Sequence, residues 1–206
     1  WLFSDNVLLV EGKTERRILP KLVEVATGKS LPARKTALVE LQGAAAMTKC
    51  MDVLSALGIA SQGIADLDFA LTHACHLTPA EKFEPLLCMV RQQLAALSAS
   101  DSMIKLAENG LPCRPRDKEP GYKPSETVKI WAATPDGSET AKALAHECRK
   151  LGIWLWPGGD IEHHLGLTNK DELAWHQFVE QLGEDTDWRN KGFDNDTLDD
   201  FFAWIR

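Results

Sequence analysis

No stretch of this sequence stays apolar over the roughly 20 residues that a membrane-spanning helix needs, and its opening, WLFSDN, lacks the basic region, apolar core and small-residue cleavage site of a secretory signal. The expectation is a soluble, cytoplasmic protein with no membrane partner. The five cysteines, Cys50, Cys75, Cys88, Cys113 and Cys148, are odd in number and irregularly spaced, which argues against a disulfide framework and predicts free thiols in a reducing compartment. There is no excess of basic residues: the net charge is −7, whereas phosphate-binding proteins usually show a basic surplus. That value overstates repulsion from a polyanion if several acids ligate metal ions and are neutralised in the working protein. Internal repeats, low-complexity tracts and a GxxxxGK[ST] phosphate loop are all missing. The sequence also has no initiating methionine and moves from Trp1 into a strand within a few residues, so it reads as a piece of something longer.

A hydrophobic share of 44% beside 26% charged residues predicts a globular chain with one good core and room for a smaller appended unit. Residues 6–10 (NVLLV) read as a buried strand, followed by a turn at Gly12 and a helix over ERRILPKLVEVAT, with Thr14 as candidate cap and Pro20 as an expected kink. TALVEL (36–41) predicts a second strand, 44–58 a helix ended by Gly58, and SQGIAD (61–66) a third strand. Strand, helix, strand, helix, strand implies a parallel sheet. From Leu71 to Asn109 the pattern is helical with a break at Pro85, and 111–125 is a loop rich in proline and charge. TVKIWAAT (127–134) reads as a further strand, followed by a helix capped by Ser138, a strand over IWLW (153–156), and two helices between Lys170 and Arg206.

Acids cluster after the apolar runs. Glu11 and Glu15 follow the first, Asp66 and Asp68 the third, and Asp160 and Glu162 follow IWLW. Ligands of open α/β sheets bind beyond the carboxyl ends of the strands, so these clusters are expected to face one crevice. Glu11 and Glu15 are four residues apart and would share a helical face, while Asp66 and Asp68, like Asp160 and Glu162, would share a face if their strands continue. Like charges so placed require a cation, and six carboxylates suffice for two hard divalent ions.

The order EGKTE, a β-α-β stretch, DLD, a helical insertion and GGDIE resembles the Toprim nuclease domain of the overcoming-lysogenization-defect (OLD) family, where it forms the C-terminal region after an ATPase domain. The resemblance implies an α/β fold, a Rossmann-like parallel sheet flanked by helices: 1–69 and 126–170 as the Toprim catalytic domain, 70–125 as a helical insertion and 171–206 as C-terminal helices. It implies an endonuclease that cleaves DNA with two Mg²⁺ or Mn²⁺ ions, and as partners DNA, an ATPase domain in the same full-length chain, and a second copy joined through that domain. Glu11, Glu15, Asp66, Asp68, Asp160 and Glu162 match the family's acidic ligands. Glu11, Asp66 and Asp68 are thereby catalytic, and Lys170 takes the place of a downstream catalytic lysine. Tyr122 is the single tyrosine, in a Pro-rich loop, so strand passage through a phosphotyrosine is not expected.

Two other functions stay open. In a haloacid-dehalogenase-like phosphatase the first Asp of DLD would be the nucleophile, although Ala70 stands where that motif has Thr or Val and EGKTE goes unexplained. A catalytically degenerate Toprim module would act in DNA binding or assembly. Of the adjacent His163 and His164, at most one can face the crevice. His73, Cys75, His76 and Cys88 do not have zinc spacing, and Trp131, Trp154, Trp156, Trp175, Trp188 and Trp204 are expected in the core. Arg114, Arg116, Lys118 and Lys123 are expected on a solvated loop.

Overall fold

A computed structural model describes residues 4–73, 80–117, 119–184, 189 and 193–205. The apolar run NVLLV is strand β1 (Asn6–Val10), paired in parallel with β2 (Thr36–Glu40) on one side and β3 (Ala60–Ala65) on the other. Leu8 stands opposite Leu38 and Gln62. A short strand β4 (Ile153–Leu155) completes the order β2-β1-β3-β4. Val7 through Val10 are all buried, as expected for a parallel strand covered on both faces.

The chain divides into two compact units, one made of Trp1–Ala65, Gly152–Trp154 and Ile161–Arg206, the other of Asp66–Leu151 and Leu155–Asp160. In the first, helix α1 (Lys13–Thr27) buries Thr14, Glu15, Ile18, Leu19, Leu22 and Val23 along one face and packs against α8 (Glu172–Glu184). The kink expected at Pro20 does not break the helix, which runs through it without interruption. Burial of Leu19, Leu22 and Val23 around the proline outweighs the one backbone bond that it cannot donate. Helix α2 (Met47–Ala56) stops ahead of Gly58, which takes the left-handed φ of 71°. It approaches the sheet at Gly63, where a Cβ would fall 2.6 Å from Met47 Sδ, so only glycine lets Met47 fill that place. Helix α9 (Asn195–Trp204) packs Phe201 and Trp204 on Trp154, with ring centroids 5.2 and 5.6 Å away, and the Trp204 carbonyl accepts from Gln62 Nε2 at 3.2 Å.

The second unit holds α3 (Asp68–Thr72), α4 (Glu84–Ser100), α5 (Pro124–Ala132) and α6 (Pro135–Lys150). TVKIWAAT is therefore not a strand. Pro124 starts α5, the Lys123 N–H donates to Glu126 Oε2 at 2.8 Å, and Thr127, Val128, Trp131 and Ala132 are buried with helical spacing. Ser138 is not a cap either: Thr134 is, its Oγ1 accepting from the Gly137 N–H at 3.1 Å. Pro85 stands at the start of α4 rather than at a break within it. Trp131 Nε1 donates to Gln93 Oε1 at 2.8 Å and Gln93 Nε2 to Thr140 Oγ1 at 3.0 Å, tying α4, α5 and α6 together.

Trp131, Trp154, Trp156 and Trp175 are buried, as expected of core residues, while Trp188 lies outside the described residues. Cys50, Cys88, Cys113 and Cys148 are free thiols, and burial pushes the Cys148 thiol up to about 12; Cys75, His76 and Lys118 also lie outside the described residues. Among the described residues no helix is long and apolar enough to cross a membrane.

Candidate active site

In the first unit the acids gather where β1 hands over to α1. Glu11 follows the last residue of the strand, Gly12 is the extended N-cap, and Glu15 lies in the first helical turn. Thr14, expected as the cap, is instead inside the helix, and its Oγ1 donates to Glu162 Oε1 at 2.8 Å. Glu162 lies in the single-turn helix α7 (Ile161–His164) and is 3% exposed; its Oε1 also meets Lys170 Nζ at 3.2 Å. Burial pushes the Glu15 carboxyl from its ordinary 4.5 up to about 7; the negative charges of Glu162 and Glu11 add to the rise, while its own backbone N–H and Lys170 oppose it. Glu11, Glu15, Glu162 and Lys170 thus share one electrostatic neighbourhood.

That neighbourhood makes the protein's stability depend on pH. Glu15 binds its proton more tightly folded than unfolded, so its contribution is fully present below pH 4.5 and is lost as pH rises through about 7. Glu15→Gln is expected to leave stability at pH 4.5 unchanged and, without divalent cations, to raise it above pH 7 by about 3 kcal/mol. Urea unfolding of both proteins across this range checks the sign. Equal pH profiles would remove Glu15 from the strained position given to it.

In the second unit, β3 ends at Ala65, Asp66 follows, Leu67 turns to helical backbone (φ −62°, ψ −29°) and Asp68 opens α3. The alternation expected of a continued strand therefore does not govern Asp66 and Asp68, because the chain turns into a helix between them. The same holds for GGDIE, where Asp160 precedes α7 and Glu162 lies within it. The DLD and GGD turns are joined by a hydrogen bond from the Leu67 N–H to the Gly159 carbonyl at 2.7 Å. Asp160, 2% exposed, is paired with Lys129 Nζ of α5 at 2.5 Å. Sequence reading missed Lys129 because it took its segment for a strand.

His163 is exposed and His164 buried, so the two point different ways as adjacency predicts. His164 Nδ1 lies 2.8 Å from Asp194 Oδ2, and its carbonyl accepts from the Asp194 N–H at 3.0 Å, so α7 is fastened to the start of α9. Arg114, Arg116 and Lys123 are exposed, in keeping with a solvated loop.

The strand, EGKTE turn, helix and DLD of this geometry fall in the segment 2–68, which matches the family model described as overcoming lysogenization defect protein-like, TOPRIM domain. That third of the chain is similar to the TOPRIM domain of OLD-like proteins. Over 210 aligned residues the chain is 29% identical to the Old nuclease of Escherichia phage P2; the alignment takes in 99% of this chain and 34% of the relative, so the chain spans about a third of that protein's length. Among solved structures, the C-terminal region of the Burkholderia pseudomallei OLD protein aligns over 98% of this chain and 83% of its own at 13% identity and a TM-score of 0.39. The C-terminal region of the Xanthomonas campestris pv. campestris OLD protein aligns over 98% and 80% at 18% identity and a TM-score of 0.30. The TOPRIM assignment rests on the motif segment and the parallel β2-β1-β3 core, not on these superpositions.

The donors of the TOPRIM turns suit a hard divalent cation, since carboxylate oxygen is all that Glu11, Glu15 and Glu162, or Asp66, Asp68 and Asp160, offer. Among the described residues, no three His, Cys, Asp or Glu side chains are drawn together into a finished ligand set. Two of the acids instead carry lysine partners, Lys170 on Glu162 and Lys129 on Asp160.

Proposed function

We propose that this chain is the nuclease part of a larger ATPase–nuclease of the cytoplasm and that it hydrolyses phosphodiester bonds in DNA with Mg²⁺ or Mn²⁺. The observation that carries this reading is Glu15: a buried carboxyl, raised to about 7, beside Glu162 and Glu11 at the carboxyl end of β1. Burial and the neighbouring acids disfavour the anion of this group, and a divalent ion arriving beside it would favour the anion again.

Glu11, Glu15 and Glu162 would hold one cation, and Asp66, Asp68 and Asp160 the other. Divalent ions held by these carboxylates would supply an activated water and positive charge for the leaving oxygen of a phosphodiester. The Thr14 hydroxyl fixes the rotamer of Glu162 by donating to it. Lys170 is half-exposed and its ammonium is 3.2 Å from Glu162, which suits a cation that turns to a phosphate and stabilises charge there. Further partners in this reading are the ATPase domain of the full-length chain and a second copy joined through it.

Incubating the purified protein with supercoiled plasmid tests the reading. Nicked and linear DNA are expected with Mg²⁺ or Mn²⁺, and none with EDTA. Hydrolysis of a small phosphomonoester without any DNA cutting would point to the phosphatase chemistry instead, and a calorimetric titration without cation binding would point to a degenerate TOPRIM module.

A further inference from the structure

Asp160 is 2% exposed, and a polar group at that depth needs a partner. Lys129 provides one at 2.5 Å. This lysine is unlike an ordinary surface residue, whose long side chain samples many rotamers. It follows the buried Val128 on α5, and its stem lies across Gly159. A Cβ at Gly159 would stand 2.6 Å from Lys129 Cγ, 3.3 Å from Cε and 3.5 Å from Cδ, and the φ of 124° there belongs to glycine. The Gly159 N–H donates to the Trp156 carbonyl at 2.9 Å and its carbonyl accepts from Leu67, so the backbone forming this track is itself fixed. The side chain is 34% exposed.

We infer that Lys129 is a positioning residue: a resident counter-ion that holds the Asp160 carboxylate aimed in the metal-free protein and gives it up when a divalent cation loads. The inference rests on the reading of Asp160 as a cation ligand. A primary ammonium carries one charge and bonds through three hydrogens, whereas a divalent ion brings twice the charge to the same oxygen, so the exchange runs toward the metal at sufficient concentration. Lys129 thereby sets the concentration at which the acid changes partner.

The test uses Lys129→Met, which keeps the stem against Gly159 and removes the charge, with Mg²⁺ and Mn²⁺ alone as probes. By titration calorimetry, Lys129→Met is expected to bind the cation roughly tenfold more tightly than the wild type, having lost its competitor. Its melting temperature with EDTA is expected to fall by about 3–5 °C and to recover when cation is added. Lys129→Arg, which restores the charge, should return the metal-free melting temperature toward the wild-type value. In an Asp160→Asn background, Lys129→Met should change neither quantity, and this arm holds even if the single variant folds poorly. Wild-type binding with unchanged or weaker affinity in Lys129→Met overturns the inference by itself. A wild-type protein that binds no divalent cation overturns it through the reading beneath it.

Discussion

Replacing Asp66 by alanine is expected to lower cation-dependent DNA cleavage by about 10³-fold, which corresponds to ~4 kcal/mol of lost transition-state stabilisation. The size follows from position. Asp66 is the first residue beyond β3, and its side chain is half-buried. The turn that it begins is held by backbone: the Phe69 N–H donates to the Asp66 carbonyl at 3.1 Å, and Leu67 donates to Gly159. Truncation at Cβ would remove the proposed cation ligand while leaving these backbone bonds in place. Plasmid nicking rates should collapse while the urea midpoint stays near that of the wild type. Undiminished cutting by Asp66→Ala would remove this residue from the mechanism, and a collapse of both quantities would show that the side chain serves the fold.

Trp154→Ala is expected to show the opposite division, a large loss of stability originating away from the acids. Trp154 is 1% exposed at the centre of β4 and stacks on Phe201 and Trp204 of α9. Deleting so large a buried ring costs about 3–5 kcal/mol, because the pocket closes only in part. In a chain of this size each kcal/mol moves the melting temperature by about 2–4 °C, so a fall of roughly 6–20 °C is expected. The loosening should reach Glu162 as well, since α9 begins at Asp194, which fastens His164 of α7. A melting temperature within about 2 °C of the wild type would show that α9 is not anchored through this ring.

The first half of the chain was legible because its signals are local and agree with one another. NVLLV, TALVE and the run ending at Ala65 are short apolar segments separated by helices with clear ends, and their strands fall where periodicity put them. Position after an apolar run also located the acids. The strand reading of TVKIWAAT failed because β-branched residues outvoted a start signal in the three residues just upstream, where Pro124 and Glu126 stand at the places that a helix N-terminus favours. That one misreading hid Lys129. The roles of Thr14 toward Glu162 and of Asp194 toward His164 were not legible at all: each bond spans a sequence separation over which composition and periodicity carry no information. Pro20 shows the converse, a strong local signal overruled by burial of the helix face around it.

The peptide hydrogen bonds from Gly63 to the Gly152 carbonyl and from Leu67 to the Gly159 carbonyl bring together the two ends of the segment 68–151, which leaves β4 and Trp154 outside it. A segment whose ends already meet can grow, shrink or be exchanged with little entropic penalty, since each doubling of a closed loop's length costs only about 0.6 kcal/mol. Its length can therefore change without altering the backbone spacing from the DLD turn to the GGD turn. The same closure makes the segment a natural place to graft a foreign domain, with the Leu67–Gly159 clasp as the fixed mount.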